Sequence, residues 1–331
     1  MTADIRVATP SDVPRMVELL LRDAERRRAH NSALWGLADD ASSKIAEAVN
    51  YALTSDNQPF QQTWLVAETD GELVGAVHSA ILPVPPIYDG KWGEPGLLMP
   101  ETFVAQRAAA GTLEALVIAA EADLLASGAG LLIASYVCDD ELGQLFRDRG
   151  YEPVTLYLSK SGLKSAPRSA DVRTATNQDI DGIVIRSAQN RSILYDLNPF
   201  WTPHAEADTR FGEWMKKSLT FTDRDMLVSG PQEAIDGYII AQPAARLHFP
   251  PAHEISFTGV IDDFFHSQFA DPAELQDGGV AAQALLQSAE TRFAEREVTT
   301  AFVVCPAAWT SKIALLEDAG YRTAMMWMTK R

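Results

Sequence analysis

Cysteine is nearly absent: Cys138 and Cys305 are the only two in 331 residues. Two thiols cannot build a disulfide framework. Each ends a strand-like run in a different half of the chain, so both read as free thiols of a reducing compartment. The cytoplasm is the expected location. Positive charge is also scarce, with 28 Lys and Arg against 45 Asp and Glu and a net charge of −17. That balance argues against nucleic acid or an anionic membrane as partner, and it favours a cationic ligand. No uninterrupted apolar run reaches bilayer-spanning length. The opening residues, MTADIRVATPSD, have no basic segment and no apolar core, so they do not read as a signal peptide. The six histidines show no ligand spacing, and no metal is expected.

What the chain does have is a repeat. Arg6-x-Ala8-Thr9-x-x-Asp12 returns as Arg173-x-Ala175-Thr176-x-x-Asp179. The hairpin from Leu65-Val66 to Gly75 returns from Leu227-Val228 to Gly237. Gly96-Leu97-Leu98 matches Gly259-Val260-Ile261, and Gly150-Tyr151 matches Gly320-Tyr321. Four anchors in the same order indicate a tandem duplication. The small, polar stretch 161–170, SGLKSAPRSA, reads as the linker. The expected domains are therefore 1–160 and 171–331. Each reads β-α-α-β-β-β-α-β-α-β, which is an α/β unit with a mixed, mostly antiparallel sheet and helices on both faces. The two sheets are expected to be separate.

A glycine pair opens the main helix of the second unit, in Gln276-Asp277-Gly278-Gly279-Val280-Ala281. A helix start offers unpaired N–H groups and partial positive charge, and glycine lets an anion come close. The plainer reading is a glycine-rich turn that caps an ordinary helix. No Gly-Lys-Ser/Thr follows, so this is not a P-loop. The spacing Gln-x-x-Gly-x-Ala resembles the coenzyme A pyrophosphate loop of the GNAT superfamily of N-acetyltransferases. The element order, the Arg-x-Ala-Thr-x-x-Asp signature and the Gly-Tyr ending the last helix extend that resemblance over both halves. It implies two tandem GNAT-like domains, acetyl-CoA as co-substrate, and transfer of an acyl group to an amine on a small molecule or peptide.

The resemblance places Phe265, His266, Gln276, Asp277, Gly278, Gly279, Val280 and Ala281 at the coenzyme. It places Asp262, Asp263 and His266 near the reacting amine, as bases or relays. Consecutive strand residues point to opposite faces, so one aspartate is expected in the cleft, with Asp263 favoured. Solvated acids at a strand end are the plainer reading, and Glu254 is a further candidate. Trp201, Trp214 and Phe200 are candidates for the acceptor pocket or for core. The tyrosine that serves as acid in the family is replaced by Phe146 and Leu316. Tyr136, Tyr195 and Tyr238 are substitutes by residue type alone. The first unit's loop, Gln106 to Gly111, has altered spacing, and Leu113 stands at the second small position. The second unit is therefore expected to hold the coenzyme, with Gly279 more critical than Gly111. Glu101 is a candidate base of the first unit, and an exposed acid is its plainer reading. The rival reading is a binding protein that holds acyl-CoA or a metabolite without turnover.

Overall fold

The computed structural model describes residues 3–137, 140–167 and 169–331. Cys138, and Arg168 of the expected linker, lie outside them. The first half runs β1 (Asp4–Val7), α1 (Val13–His30), α2 (Ala41–Thr54), β2 (Gln62–Thr69), β3 (Glu72–Ile81), β4 (Pro95–Leu98), β5 (Phe103–Val104), α3 (Thr112–Ala126), β6 (Leu131–Val137), α4 (Asp140–Asp148) and β7 (Glu152–Ser161). The second runs β8 (Val172–Thr174), α5 (Ile180–Leu197), α6 (Ala207–Ser218), β9 (Asp225–Ser229), β10 (Gly237–Pro243), β11 (Thr258–His266), α7 (Val280–Glu295), β12 (Thr300–Pro306), α8 (Thr310–Asp318) and β13 (Arg322–Lys330).

The repeated signatures have structural causes. Arg6 grips Asp12 with both guanidinium nitrogens, at 2.7 and 2.8 Å, while Thr9 N–H donates to the same carboxylate at 2.8 Å. Arg173, Asp179 and Thr176 repeat the clasp. It fixes the turn from the first strand into the first helix and satisfies helix-start donors. The Gly-Tyr pairs end α4 and α8. Gly150 and Gly320 take positive φ, and the next residue's N–H returns to Phe146 O and Leu316 O at 3.0 Å. Tyr151 and Tyr321 are buried as a result.

Strand alternation separates two layers. Trp64 and Val66 of β2 pack with α1 and α2, whereas Leu65 and Ala67 pack with α3. The sheet itself departs from the expectation of two separate ones. It is a single thirteen-stranded sheet in the order β1-β2-β3-β4-β6-β13-β7-β12-β11-β10-β9-β8, with β5 on β3. The final strand of each half pairs with the other half: β13 lies between β6 and β7, and β7 pairs with β12. Each last strand thereby finds ladder partners on both sides, leaving no edge at the seam. Tyr157, Phe249, Phe302 and Met325 form the core beneath it.

Two loops are exchanged as well. The loop between β10 and β11 reaches the first half, where Ala38 N–H donates to Ala252 O at 2.9 Å and Glu254 N–H to Gly36 O at 2.8 Å. The loop between β3 and β4 reaches the second half, where Asp89 N–H donates to Thr202 O at 3.0 Å and His204 N–H donates to Ile87 O at 2.9 Å.

Candidate functional site

β11 and β12 run parallel from Thr258↔Thr300 to Ile261↔Val303 and then part. The gap beyond is where the resemblance puts the coenzyme arm. Residues at the start of α8 close it. Lys312 Nζ donates to Phe264 O at 2.7 Å, and Trp309 Nε1 donates to Phe269 O at 2.7 Å. Ser311 N–H and Thr310 Oγ1 donate to Pro272 O at 2.9 and 2.7 Å, and Ser311 Oγ donates to Asp271 O at 2.6 Å. Phe265, Phe269 and Trp309 fill the remaining space edge to face. Lys312 is buried, and that burial lowers its pKa.

Asp277, Gly278 and Gly279 take left-handed backbone, with φ of 49°, 62° and 68°, and α7 begins at Val280. Gln276, Asp277, Gly278 and Val280 are exposed, and Ala281 is half-buried. Gly279 is buried, and a Cβ there would lie 2.6 Å from Leu315 Cδ1 of α8. Packing against α8 is thus enough to require that glycine. The Ala282 N–H, a first-turn donor, is taken by Gln268 Oε1 at 3.0 Å. Phe265 is core, and His266 Nδ1 accepts from Gln268 N–H at 3.1 Å. Burial lowers the His266 pKa to about 4, so the ring stays neutral at physiological pH.

The two aspartates share one pocket, contrary to the alternation expected of them. The reason is a β-bulge: Ile240 faces Asp263 and Gln242 faces Val260, so Ala241 stands opposite both Ile261 and Asp262. The pocket, about 710 Å³, lies between α5, α6 and the sheet, with the segment Pro85–Tyr88 of the first half at its rim. Tyr238 Oη donates to Asp263 Oδ1 at 2.5 Å, and Gln242 Nε2 donates to Asp262 Oδ2 at 2.9 Å. Asp262 is exposed at its surface and Asp263 is half-buried; desolvation by the surrounding walls and the charge of Asp263 push Asp262 up to about 6. Desolvation raises Asp263 too, against the bond from Tyr238 and the charges of Lys312 and Arg191. Arg191, buried on α5, is held by Ser187 at 2.5 Å and by Asp208. Trp214 lines this pocket, while Phe200 and Trp201 line a neighbouring cavity. His266 does not line it.

In the first half the arrangement is inverted. Gly111 caps α3 at φ 83° with open space around it. Residues 102–106 and 108–113, with Arg26 of α1 and Leu142 of α4, line a groove of about 240 Å³. The acceptor side is filled. Arg27 donates to Asp23 and to Pro100 O at 2.8 Å, and its Nη1 lies 3.4 Å from His253 Nε2 of the exchanged loop. A cavity of about 10 Å³ remains. Glu101 is buried there, not exposed as expected. Burial alone would raise its pKa; His78, at 3.7 Å, and Arg27 bring it below the ordinary value instead.

Sequence reasoning missed Arg191, Tyr88 and the closing set from Trp309 to Lys312. A lysine one helical turn before Leu316 was the one available signal for the last of these. Cys305 is buried, with its thiol pushed up to about 12 by burial, which suits packing and not nucleophilic chemistry.

No family model and no curated protein matches the chain. Among solved structures it is similar to a GCN5-related N-acetyltransferase from Sphaerobacter thermophilus, at 15% identity and a TM-score of 0.55 over 99% of this chain and 95% of that one. It is also similar to a tandem GNAT protein from the clavulanic acid biosynthesis pathway, at 13% identity and a TM-score of 0.50 over 99% and 98%. The fold is therefore that of a tandem GNAT protein along essentially its whole length. No helix among the described residues is long and apolar enough to cross a membrane.

Proposed function

We propose that this chain is an acyl-CoA-dependent N-acyltransferase acting on a small cationic amine, with acetyl-CoA as the donor that the resemblance implies. The observation that carries this reading is the bulge that turns Asp262 and Asp263 into one pocket, at the point where β11 leaves β12. Paired carboxylates hold an ammonium group. A carboxylate with a pKa of about 6 can also take a proton from it near neutrality. Asp262 is the base in this scheme. Asp263, fixed by Tyr238, orients the amine and raises its neighbour.

The deprotonated amine attacks the thioester carbonyl carbon and the C–N bond forms; the nitrogen then sheds its surplus proton to water as the C–S bond breaks. The leaving thiolate needs a proton, and no tyrosine stands at position 316. Lys312, in the gap, takes that role. Its bond to Phe264 O must first be exchanged for a bond from the arriving coenzyme arm, so the gap opens on binding.

A second reading has its own support. The second unit's gap is closed by hydrogen bonds from Trp309, Thr310, Ser311 and Lys312, and the first unit has an open groove without acceptor space. That combination suits a protein that holds acyl-CoA in one half and an amine in the other. Thiol release from acetyl-CoA with a panel of amines, run beside a binding titration, separates the two. Transfer predicts amine-dependent release that falls roughly 10²–10⁴-fold in Asp262→Asn with coenzyme affinity unchanged. Binding of acetyl-CoA without release for any amine would establish the second reading.

A further inference from the structure

Beside the carboxylate pocket lies a second cavity of about 340 Å³, which nothing above uses. Leu131, Ile133 and Trp327 line it from the sheet, Phe200 and Trp201 from the segment after α5, and Leu247 from the loop between β10 and β11. Among the described residues its one charged lining residue is Lys91, whose Nζ lies over the Trp92 ring at 4.9 Å. The volume is near the lower end of small-molecule sites, ~300–1,000 Å³.

The two cavities share Pro85 and Tyr88 as wall residues. Tyr88 packs against Trp201 at an inclined angle, with ring centroids 5.3 Å apart. The strap that carries it contains Pro83, Pro85 and Pro86, which restrict its backbone, and it is pinned by the bonds from His204 and Asp89 described above. The carboxylate pocket is mixed in charge, with Arg191, Arg210, Lys217 and Glu213 on its walls beside Asp262 and Asp263; the two aspartates offer an amine head its partners, and the chamber beyond Tyr88 offers apolar walls. We propose that the cavity beyond Tyr88 receives the apolar tail of the same amine whose charged head sits at Asp262 and Asp263. The substrate class is then an amphipathic amine with an aliphatic or aromatic tail. This rests on the amine-binding part of the reading above, and not on acyl transfer.

Calorimetric titration of the full chain with n-alkylamines from ethylamine to octylamine tests it. Once the chain is long enough to reach Tyr88, each further methylene should tighten binding roughly four-fold. Leu247→Arg, at a partly exposed position where folding is not at stake, should flatten that dependence. Asp262→Asn should weaken every member that binds. Binding of ethylamine with no effect of chain length would overturn the tail site and leave the amine reading standing. A chain-length dependence that Leu247→Arg does not alter would also overturn it. Octylamine binding that ignores Asp262→Asn would separate the two cavities and end the proposal. No binding at any length would end both.

Discussion

At the residue scale, the pair Asp262–Asp263 was legible as two acids on a strand, but their common orientation was not. Alternation assumes an unbroken ladder, and the bulge opposite Ala241 breaks it. Nothing in the residues Val260 to Asp263 marks a bulge, because its position is set by pairing with β10. The raised Asp262 pKa has a consequence for stability. Its ordinary value is 3.8, and the folded value is about 6. Between those values the folded chain holds a proton that the unfolded chain releases, so this group's contribution to stability falls as pH rises from about 4 to 6. Asp262→Asn removes the penalty. Its melting temperature should exceed wild type at pH 8 and match it at pH 3.5, as measured by scanning calorimetry. A gain at pH 3.5 equal to that at pH 8 would remove the electrostatic cause.

At the element scale, Gln-x-x-Gly-x-Ala marked the start of α7, but it could not show what lies against it. Openness depends on Trp309 to Lys312, far along the chain, and these residues carry no motif. Gly279 and Gly111 therefore answer a different question from the one their motif poses. Gly279→Ala places a methyl group against Leu315 in left-handed backbone, and it should cost about 2–4 kcal/mol of folding stability. Gly111→Ala meets open space and should cost about 1–2 kcal/mol, from backbone conformation alone. Urea unfolding of the two variants measures the difference. Equal costs would mean that the packing of Gly279 on α8 is not tight.

At the scale of the whole molecule, the duplication was fully legible because Arg6–Asp12 and Arg173–Asp179 are local clasps that repeat as written. The exchange of last strands was not legible. A strand's residues specify its faces, whereas its neighbours are settled by assembly. β13 pairs with β6 and β7 of the first half, and β7 pairs with β12 of the second, so neither half holds a complete sheet of its own. Fragments 1–165 and 166–331 expressed separately should fail to give sharp melting transitions, and co-expressed they should copurify as one particle. Two independently stable fragments would contradict the single sheet.

Acid–base transfer to an amine at Asp262 makes amine-stimulated thiol release depend on pH, and that dependence is the decisive measurement. For wild type, kcat/KM should rise through an inflection near pH 6, where Asp262 loses its proton. In Asp262→Asn that inflection should vanish along with most of the rate. A profile that keeps its inflection in the variant, or an enzyme that releases no thiol at any pH with any amine, would contradict the account.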